Sequence, residues 1–568
     1  STRKESSAAS DVYKRQVAGG ASTATRLRRL NDEVEIKVFE KGPYPSYSNC
    51  AIPNFLSRDV KSYENLLLNS PESFKTRFNI DVEVNSEVTK IFPEEKKIEV
   101  ESEGKTFTED YDKLVVATGA EAIVPSFIKG VDLPHVFTVK TVPDVVKLDS
   151  YLRENEKKKV TVIGGGFIGL EVMENLKRVG FDVSIVEAMN QVMAPVDYEI
   201  ATIIHKEIYD NGVNLYLEDP VSEITEKEVI LKSGNRIETD AVVLAIGVRP
   251  TSKLLSEAGA KIDERGYLEI DDNFETSLKD IYAVGDVVKK EDFLLGGLTN
   301  LELAGPAQKQ ARELANHLAG REHREVSVIG SSAVRVFDLN IACTGLNEKK
   351  LKDRGIEYEA SYVIPMDKVG IIGGANPILM KLLFDKEGKV LGAQAAGRGT
   401  VDKRIDVVSA YIRMNGTLED LYEYEHAYAP FFAPPKDAVH LAAMVGQNIL
   451  NGDVKCVTMK DLRSLYEEGA YIVDVREKNE YENGHIKGAH NIPLTEIRDR
   501  IDEVPKDVPV YLHCRSSQRS YYAYTFLREN GYDNIYNIQG SYLWFSLYEY
   551  FDDLRLGREP IFTKYNFK

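Results

Sequence analysis

Cysteine is scarce in this chain: four occur among 568 residues, at positions 50, 343, 456 and 514, and no two form a CxxC pair. A disulfide framework and a cysteine-built zinc site are therefore excluded, and no metal is expected. Positive charge is also short, with 72 Lys and Arg against 90 Asp and Glu, a formal net charge of −18. That balance argues against a nucleic-acid or anionic-membrane surface but leaves room for a local basic patch. No apolar run approaches the roughly 18 residues of a membrane span. No secretory pattern is expected at the start, so a reducing, cytoplasmic compartment fits. What the chain has is length: at roughly 100–200 residues per domain, about three to five domains are expected.

The opening residues do not read like the rest. The segment 6–16, SSAASDVYKRQ, resembles a translated sequencing-library adapter, so residues 1–16 are set aside as an artefact. From Val17, VAGGASTATRLRRL reads as the glycine turn and helix of a βαβ nucleotide unit. Gly19 and Gly20 would let the backbone approach a pyrophosphate at the helix N-terminus. The apolar strand expected before them is missing, and Arg15 stands where the first turn glycine belongs. The next strand, 34–39, leads into Glu40 and Lys41, where a carboxylate accepts hydrogen bonds from ribose hydroxyls. Two further segments follow in order: LVVATGA at 114–120, with Thr118 and Gly119, and TSLKDIYAVGDVV at 276–288, with Gly285 and Asp286. In two-dinucleotide flavoproteins such segments return the chain beneath the nucleotide and set an aspartate at the flavin chain.

A second unit is complete. The apolar strand 160–163 runs into Gly164, Gly166 and Gly169, then a helix over 170–179 and a strand closed by Glu187. Strand, GxGxxG, helix, strand and acid in this order form a specific dinucleotide signature. Glu187 would repel a 2′-phosphate, and residues 188–191 supply no arginine, so NADH is favoured over NADPH. AIGVRP at 245–250, with Gly247, returns the chain to the first unit. Two nucleotide sites mean FAD held by the first unit and NADH delivered by the second. The NAD-binding domain at 150–245 is thus inserted between FAD-binding segments at 17–149 and 246–325.

Cys50 lies in PYPSYSNCAIPNF, just past the first ribose acid and expected at the start of a helix, which would favour its thiolate. The order of motifs resembles the coenzyme A-disulfide reductase, NADH oxidase and persulfide reductase branch of the pyridine nucleotide-disulfide oxidoreductases. That branch carries a lone cysteine in an S-x-x-N-C loop, matched by Ser46, Asn49 and Cys50. The fifth residue after Cys50 is Phe55, so an internal redox disulfide is excluded there. A lone thiolate can form a mixed disulfide, a persulfide or a sulfenic acid. The resemblance spans about residues 17–450 and implies a homodimer through a domain at 326–450. It implies that Tyr428, in YAPFFAPPKD, reaches the partner's site as a proton donor, with Lys436 facing an anionic substrate. Arg26 and Arg29 resemble the family's coenzyme A phosphate contacts, with a solvated helix face as the alternative, and Gln308 is expected to face flavin or substrate. Where family members often carry a tyrosine pair, this chain has Ile371, Ile372, Gly373 and Gly374, which leaves the substrate open.

After Gly452 the pattern restarts: YIVDVRE, GHIKGAHNIP and VYLHCRSSQRS resemble the rhodanese family over residues 456–552. In such a loop, Cys514 is the sulfur carrier, Arg515, Ser516, Ser517 and Gln518 hold the substrate as the chain to Arg519 curls its backbone N–H groups toward the sulfur, and Arg519 is expected to join Cys514 in catalysis. Four residues separate Cys514 from Arg519, one fewer than in the related phosphatase loop, so phosphatase activity is not expected. Asp474 and Arg476 are expected to anchor the loop, and Cys343 and Cys456 to be core or linker residues. The tail at 553–568 suggests no role. The expected fold class is α/β: two Rossmann-like dinucleotide-binding domains, an α+β dimerisation domain, and a C-terminal α/β rhodanese domain. The expected function is FAD-dependent, NADH-driven reduction of a persulfide, a polysulfide or coenzyme A disulfide, coupled to sulfur transfer. The alternatives are an NADH oxidase or peroxidase working through a sulfenic acid, and a rhodanese half that only binds or senses sulfur.

Overall fold

The computed structural model describes residues 19–154 and 157–567; the adapter-like segment and the position of Arg15 lie outside these. The chain divides into two compact units, one of residues up to 190 with 216–328, the other of 191–215 with the chain from 329 onward.

In the first unit, short parallel strands place the loops that carry the nucleotide motifs. Lys37–Phe39 pairs with Asp81–Glu83, and Leu114–Val116 pairs with Ile281–Ala283. The strand expected over 34–39 is only its last three residues: Val34 and Glu35 lie outside the pairing, and the Ile36 carbonyl accepts the Asp81 N–H where the pairing begins. The helix Gly20–Leu30 buries Ala24 and Leu27 against Val115, Ala117 and Val284. A Cβ on Gly19 would lie 3.4 Å from Val284 Cγ2 and 3.5 Å from Ala117 Cβ, so the turn packs tightly on both strands. A second sheet runs Asp182–Glu187, Lys159–Ile163, Ala241–Leu244, Val136–Thr138, with Asn214–Leu217 at the outer edge. Val136–Thr138 joins this sheet by pairing with Val242–Leu244, so the sheet draws on chain that precedes residue 150.

The second unit is built on two sheets. An antiparallel sheet runs Ser332–Val336, Leu339–Gly345, Val390–Gly397, Ile378–Phe384, Glu359–Val363. A parallel sheet runs Cys456–Val457, Ile535–Ile538, Val510–His513, Tyr471–Asp474, His490–Asn491. Cys343 is buried in the first and Cys456 half-buried in the second, as core positions. The helix Tyr198–Asp210 packs on both the antiparallel sheet and the C-terminal helix Ser541–Leu556. At this junction Lys381 is fully buried, with Nζ 2.6 Å from carboxylate oxygens of Asp197, Glu199 and Glu348. Tyr362 donates to Glu199 at 2.7 Å, Gln394 donates to Asp197 at 2.7 Å, and Lys460 pairs with Glu348. Burial alone would lower the Lys381 ammonium, yet the carboxylates hold it above its ordinary value. The tail, which the sequence left without a role, folds back: Lys487 N–H donates to Ile561 O and Thr563 N–H to His485 O, both at 2.9 Å. Ile561 and Phe562 are buried there.

Candidate functional site

The second nucleotide turn shows why its glycines are needed. Gly164 sits at φ +109°, and a Cβ on it would lie 2.4 Å from Ala245 O. A Cβ on Gly169 would lie 1.9 Å from Gly164 O, so the helix Phe167–Arg178 could not approach the strand with any other residue there. Gly166 caps that helix facing open space. Glu187 accepts the Gly165 N–H at 2.8 Å and the Met189 N–H at 2.9 Å, which fixes its carboxylate at the strand end. These residues fit a pyrophosphate and a ribose.

The first turn is gathered from distant segments. Glu40 accepts the Gly42 N–H at 2.6 Å, and Lys41 pairs with Glu87 at 2.6 Å. Thr118 donates to Thr251 O, and Gly119 takes φ +65° where its carbonyl accepts the Thr251 N–H. Gly247, at φ +111°, accepts the Ile123 N–H. Gly285 lies at φ +87°, with its N–H bonded to Gln310 Oε1 and its carbonyl to Lys290 Nζ. Asp286 is buried beside Lys290, and burial pushes its carboxyl up to about 6. Gln308 is exposed on the helix Ala304–Leu318, and it is Gln310, two residues on, that reaches the turn. Asn49 Oδ1 is buried with no hydrogen-bond partner, an acceptor left open beside Cys50. The turn glycines, the ribose acid and this open acceptor fit a flavin nucleotide.

Cys50 does not open an α-helix. It sits within the single 3-10 turn Asn49–Ala51, too short to align a helix dipole on its sulfur. The residue is exposed, yet desolvation by the atoms around its thiol pushes the thiol up; the Glu171 charge adds to this, and Lys140 opposes it. Ser46 is buried, and its carbonyl accepts the Leu68 N–H while the Ser48 N–H bonds Leu66 O, so the loop is held as a strand-like edge. The helix Phe167–Arg178 packs on the turn Pro53–Phe55, and Glu171 on it is pushed up to about 7 by burial and then by Glu174. Neither Glu171 nor Lys140 was singled out by sequence, because both belong to elements that reach the cysteine only through folding. Arg26 donates to Asn316 Oδ1 at 3.2 Å, and Arg29 is exposed beside it. Burial, then Arg312, Arg29 and Arg321, lower the Arg26 guanidinium, and Glu313 opposes them, so several cations gather around it. Tyr428 is half-exposed, 6.2 Å ring to ring from His426, on a loop with exposed Phe431, Phe432 and Lys436. The Val369 N–H donates to Pro430 O, joining that loop to exposed Ile371.

Cys514 ends the strand Val510–His513 and is buried at the head of the helix Gln518–Glu529. Arg515 O accepts the Leu543 N–H, Ser516 is half-buried in the curl, and Ser517 takes φ +70° to turn the chain into the helix. Gln518 donates to Tyr522 OH. Arg519 is held by Glu480. The Ser520 hydroxyl lies 3.6 Å and the Ser541 hydroxyl 4.0 Å from Cys514 Sγ. Asp474 accepts from the Arg476 guanidinium, which also donates to the Gly484 carbonyl at 2.7 Å, so the pair ties down the turn at Gly484.

The pyridine nucleotide-disulphide oxidoreductase family model matches residues 18–311, more than half of the chain. The chain belongs to this family. The family's dimerisation domain matches residues 331–438 of this oxidoreductase, and a rhodanese-like domain matches residues 458–547. The oxidoreductase is 34% identical over 431 residues to an NADH oxidase of Methanocaldococcus jannaschii, covering 75% of this chain and 96% of that protein. It is 30% identical over 429 residues to a coenzyme A disulfide reductase of Staphylococcus haemolyticus, covering 75% and 96%. Among solved structures, reduced Bacillus anthracis CoADR-RHD superposes with a TM-score of 0.92 at 41% identity, over 96% of this chain and 99% of that one. A NAD-dependent persulfide reductase from A. fulgidus superposes at 0.89 with 30% identity, over 95% and 99%. The expected family and fold class, including the rhodanese fusion, are therefore borne out. Membership implies a flavin and a pyridine nucleotide as cofactors. Among the described residues, no helix is long and apolar enough to cross a membrane.

Proposed function

We propose that this oxidoreductase uses NADH to reduce a persulfide, a polysulfide or coenzyme A disulfide at Cys50, and that Cys514 supplies the sulfane sulfur. The observation that carries the reading is the pairing, on one chain, of a lone cysteine loop with a rhodanese loop whose sulfur faces two hydroxyls.

The Cys50 thiolate attacks the sulfur–sulfur bond of the substrate. Attack on the inner sulfur of a persulfide leaves a mixed disulfide on Cys50 and releases hydrosulfide; attack on the outer sulfur leaves a persulfide on Cys50 and releases the thiol. The bound FAD supplies the two-electron relay between the nicotinamide and this sulfur. In sum, a persulfide, NADH and a proton become a thiol, hydrogen sulfide and NAD+. Arg26 and Arg29 hold the phosphates of a coenzyme A carrier. Tyr428 of a partner subunit in a homodimer gives the proton to the leaving thiolate, and Lys436 draws in the anionic substrate. Glu187 selects NADH, since a fixed carboxylate repels a 2′-phosphate. The four unpaired cysteines support a cytoplasmic setting.

NADH consumption, without oxygen, is the test. Faster turnover with coenzyme A persulfide or polysulfide than with coenzyme A disulfide, abolished in Cys50→Ser, supports a persulfide reductase. Preference for the disulfide makes the protein a thiol-redox enzyme, and turnover with oxygen or peroxide alone returns the oxidase reading. Sulfur transfer from thiosulfate, lost in Cys514→Ser, separates a working rhodanese half from a sensing module.

A further inference from the structure

We infer that Ser541 is a positioning residue for Cys514: its hydroxyl turns toward the sulfur when that sulfur carries negative charge, as thiolate or as persulfide. The inference rests on the sulfur-carrier reading of Cys514 and adds a residue to it.

Ser541 is fully buried and begins the helix Ser541–Leu556 in a left-handed backbone conformation, φ +48°. The residue before it, Gly540, also has a positive φ, +89°. A non-glycine residue in this region bears a backbone cost that glycine would avoid, and such outliers point to what the side chain does. Here the side chain lies at the centre of the loop. Ser541 Oγ accepts the Cys514 N–H at 3.2 Å and lies 3.2 Å from Ser517 Oγ, which can donate to it. The Cys514 N–H occupies one lone pair, and the Ser517 hydroxyl, whose other acceptor is the Ile538 carbonyl at 3.4 Å, can occupy the second, which leaves the Ser541 proton two directions. One is the Ile538 carbonyl at 3.4 Å, and the other is Cys514 Sγ at 4.0 Å. Ser520 has the same choice, between Ser517 O at 3.2 Å and Cys514 Sγ at 3.6 Å. A neutral thiol is a weak acceptor and leaves both protons on carbonyls, whereas a charged sulfur is the stronger acceptor and draws them over. The two hydroxyls thus form a clamp that responds to the charge on sulfur. Ser541 differs from Ser520 in also holding the Cys514 backbone.

Sulfur transfer from thiosulfate shows what the clamp would favour. The Cys514 thiolate attacks the outer sulfur of thiosulfate, a new sulfur–sulfur bond forms, and sulfite leaves with the electron pair of the old one. The charge ends on the outer sulfur of the Cys514 persulfide, which then passes to a thiol or cyanide acceptor.

Glycine is the clean substitution, because it relieves the positive φ while removing only the hydroxymethyl group. In the full-length protein, S541G should lower kcat for thiosulfate-dependent sulfur transfer about tenfold with KM for thiosulfate within about twofold. The acid limb of the pH profile for alkylation of the Cys514 peptide, followed by mass spectrometry, should move up by about one pH unit, as expected for one hydrogen bond lost from a charged acceptor. S541A should show the same shift with a lower melting temperature. A glycine variant with the parental kcat and the parental alkylation profile overturns the inference. If the parent protein transfers no sulfur, the carrier reading fails, and the alkylation profiles still decide the role of Ser541.

Discussion

Arg519 meets Glu480 in a two-point ion pair, Nη1 to Oε2 at 2.6 Å and Nη2 to Oε1 at 2.8 Å. The arginine stands at the head of the helix after Cys514, and the glutamate on the short helix Lys478–Glu482, so the pair fixes the guanidinium across the sulfur loop. Parallel bonds of this kind set direction as well as strength. Glu480→Gln should leave melting almost unchanged, because the pair is partly exposed, yet lower sulfur transfer about tenfold. Arg519 holds the Glu480 carboxyl below its ordinary range. The pairing is therefore complete above the ordinary carboxylate value and is lost as pH falls through the lowered one. Sulfur-transfer assays across the acid range should show that loss in the parent and not in Glu480→Gln.

Glu171 should govern when Cys50 reacts. Its carboxyl, pushed up to about 7 by burial, gains charge across the neutral range and then holds the thiol in its neutral form. Glu171→Gln should move alkylation of the Cys50 peptide to lower pH, and Lys140→Met should move it higher. The stability sign is opposite to that of a paired carboxylate. A raised folded value means Glu171 contributes fully below its ordinary 4.5 and loses that contribution as pH rises toward about 7. Melting temperatures across that window should decline less in Glu171→Gln than in the parent.

Lys381 balances three buried carboxylates, and removing it strands their charge. Lys381→Met should cost about 3–5 kcal/mol of stability, read by chemical denaturation. Replacing Lys381, Asp197, Glu199 and Glu348 together with apolar residues of similar size should recover most of that loss. A single Lys381→Met variant as stable as the parent would show that the cluster contributes nothing.

The tail should matter to the rhodanese half. Phe562 is buried where the chain rejoins residues 485–487, and Phe562→Ala should cost about 3–5 kcal/mol. Sulfur transfer should then fail at a lower temperature than NADH oxidation, measured on the same sample.

The nucleotide turns were legible in the residues because their constraints are local. Gly164 and Gly169 face backbone oxygens at distances no side chain tolerates, and that requirement shows in spacing alone. The two cysteine loops were legible for a related reason: each is a short run whose residue types carry its chemistry. The sequence by itself therefore determined the family, the order of the domains and the two candidate sulfurs. Tertiary structure decided what surrounds those sulfurs. The Glu171 charge acts on Cys50 because a helix of the second nucleotide unit packs on the turn Pro53–Phe55, more than a hundred residues away in the chain. Gln310 rather than Gln308 reaches Gly285 because helical rotation buries one and exposes the other. Ser541 reaches Cys514 only when neighbouring parallel strands bring their C-terminal ends together. Charge and hydrogen bonding act through space, and a linear pattern records them only where the chain makes its own neighbours.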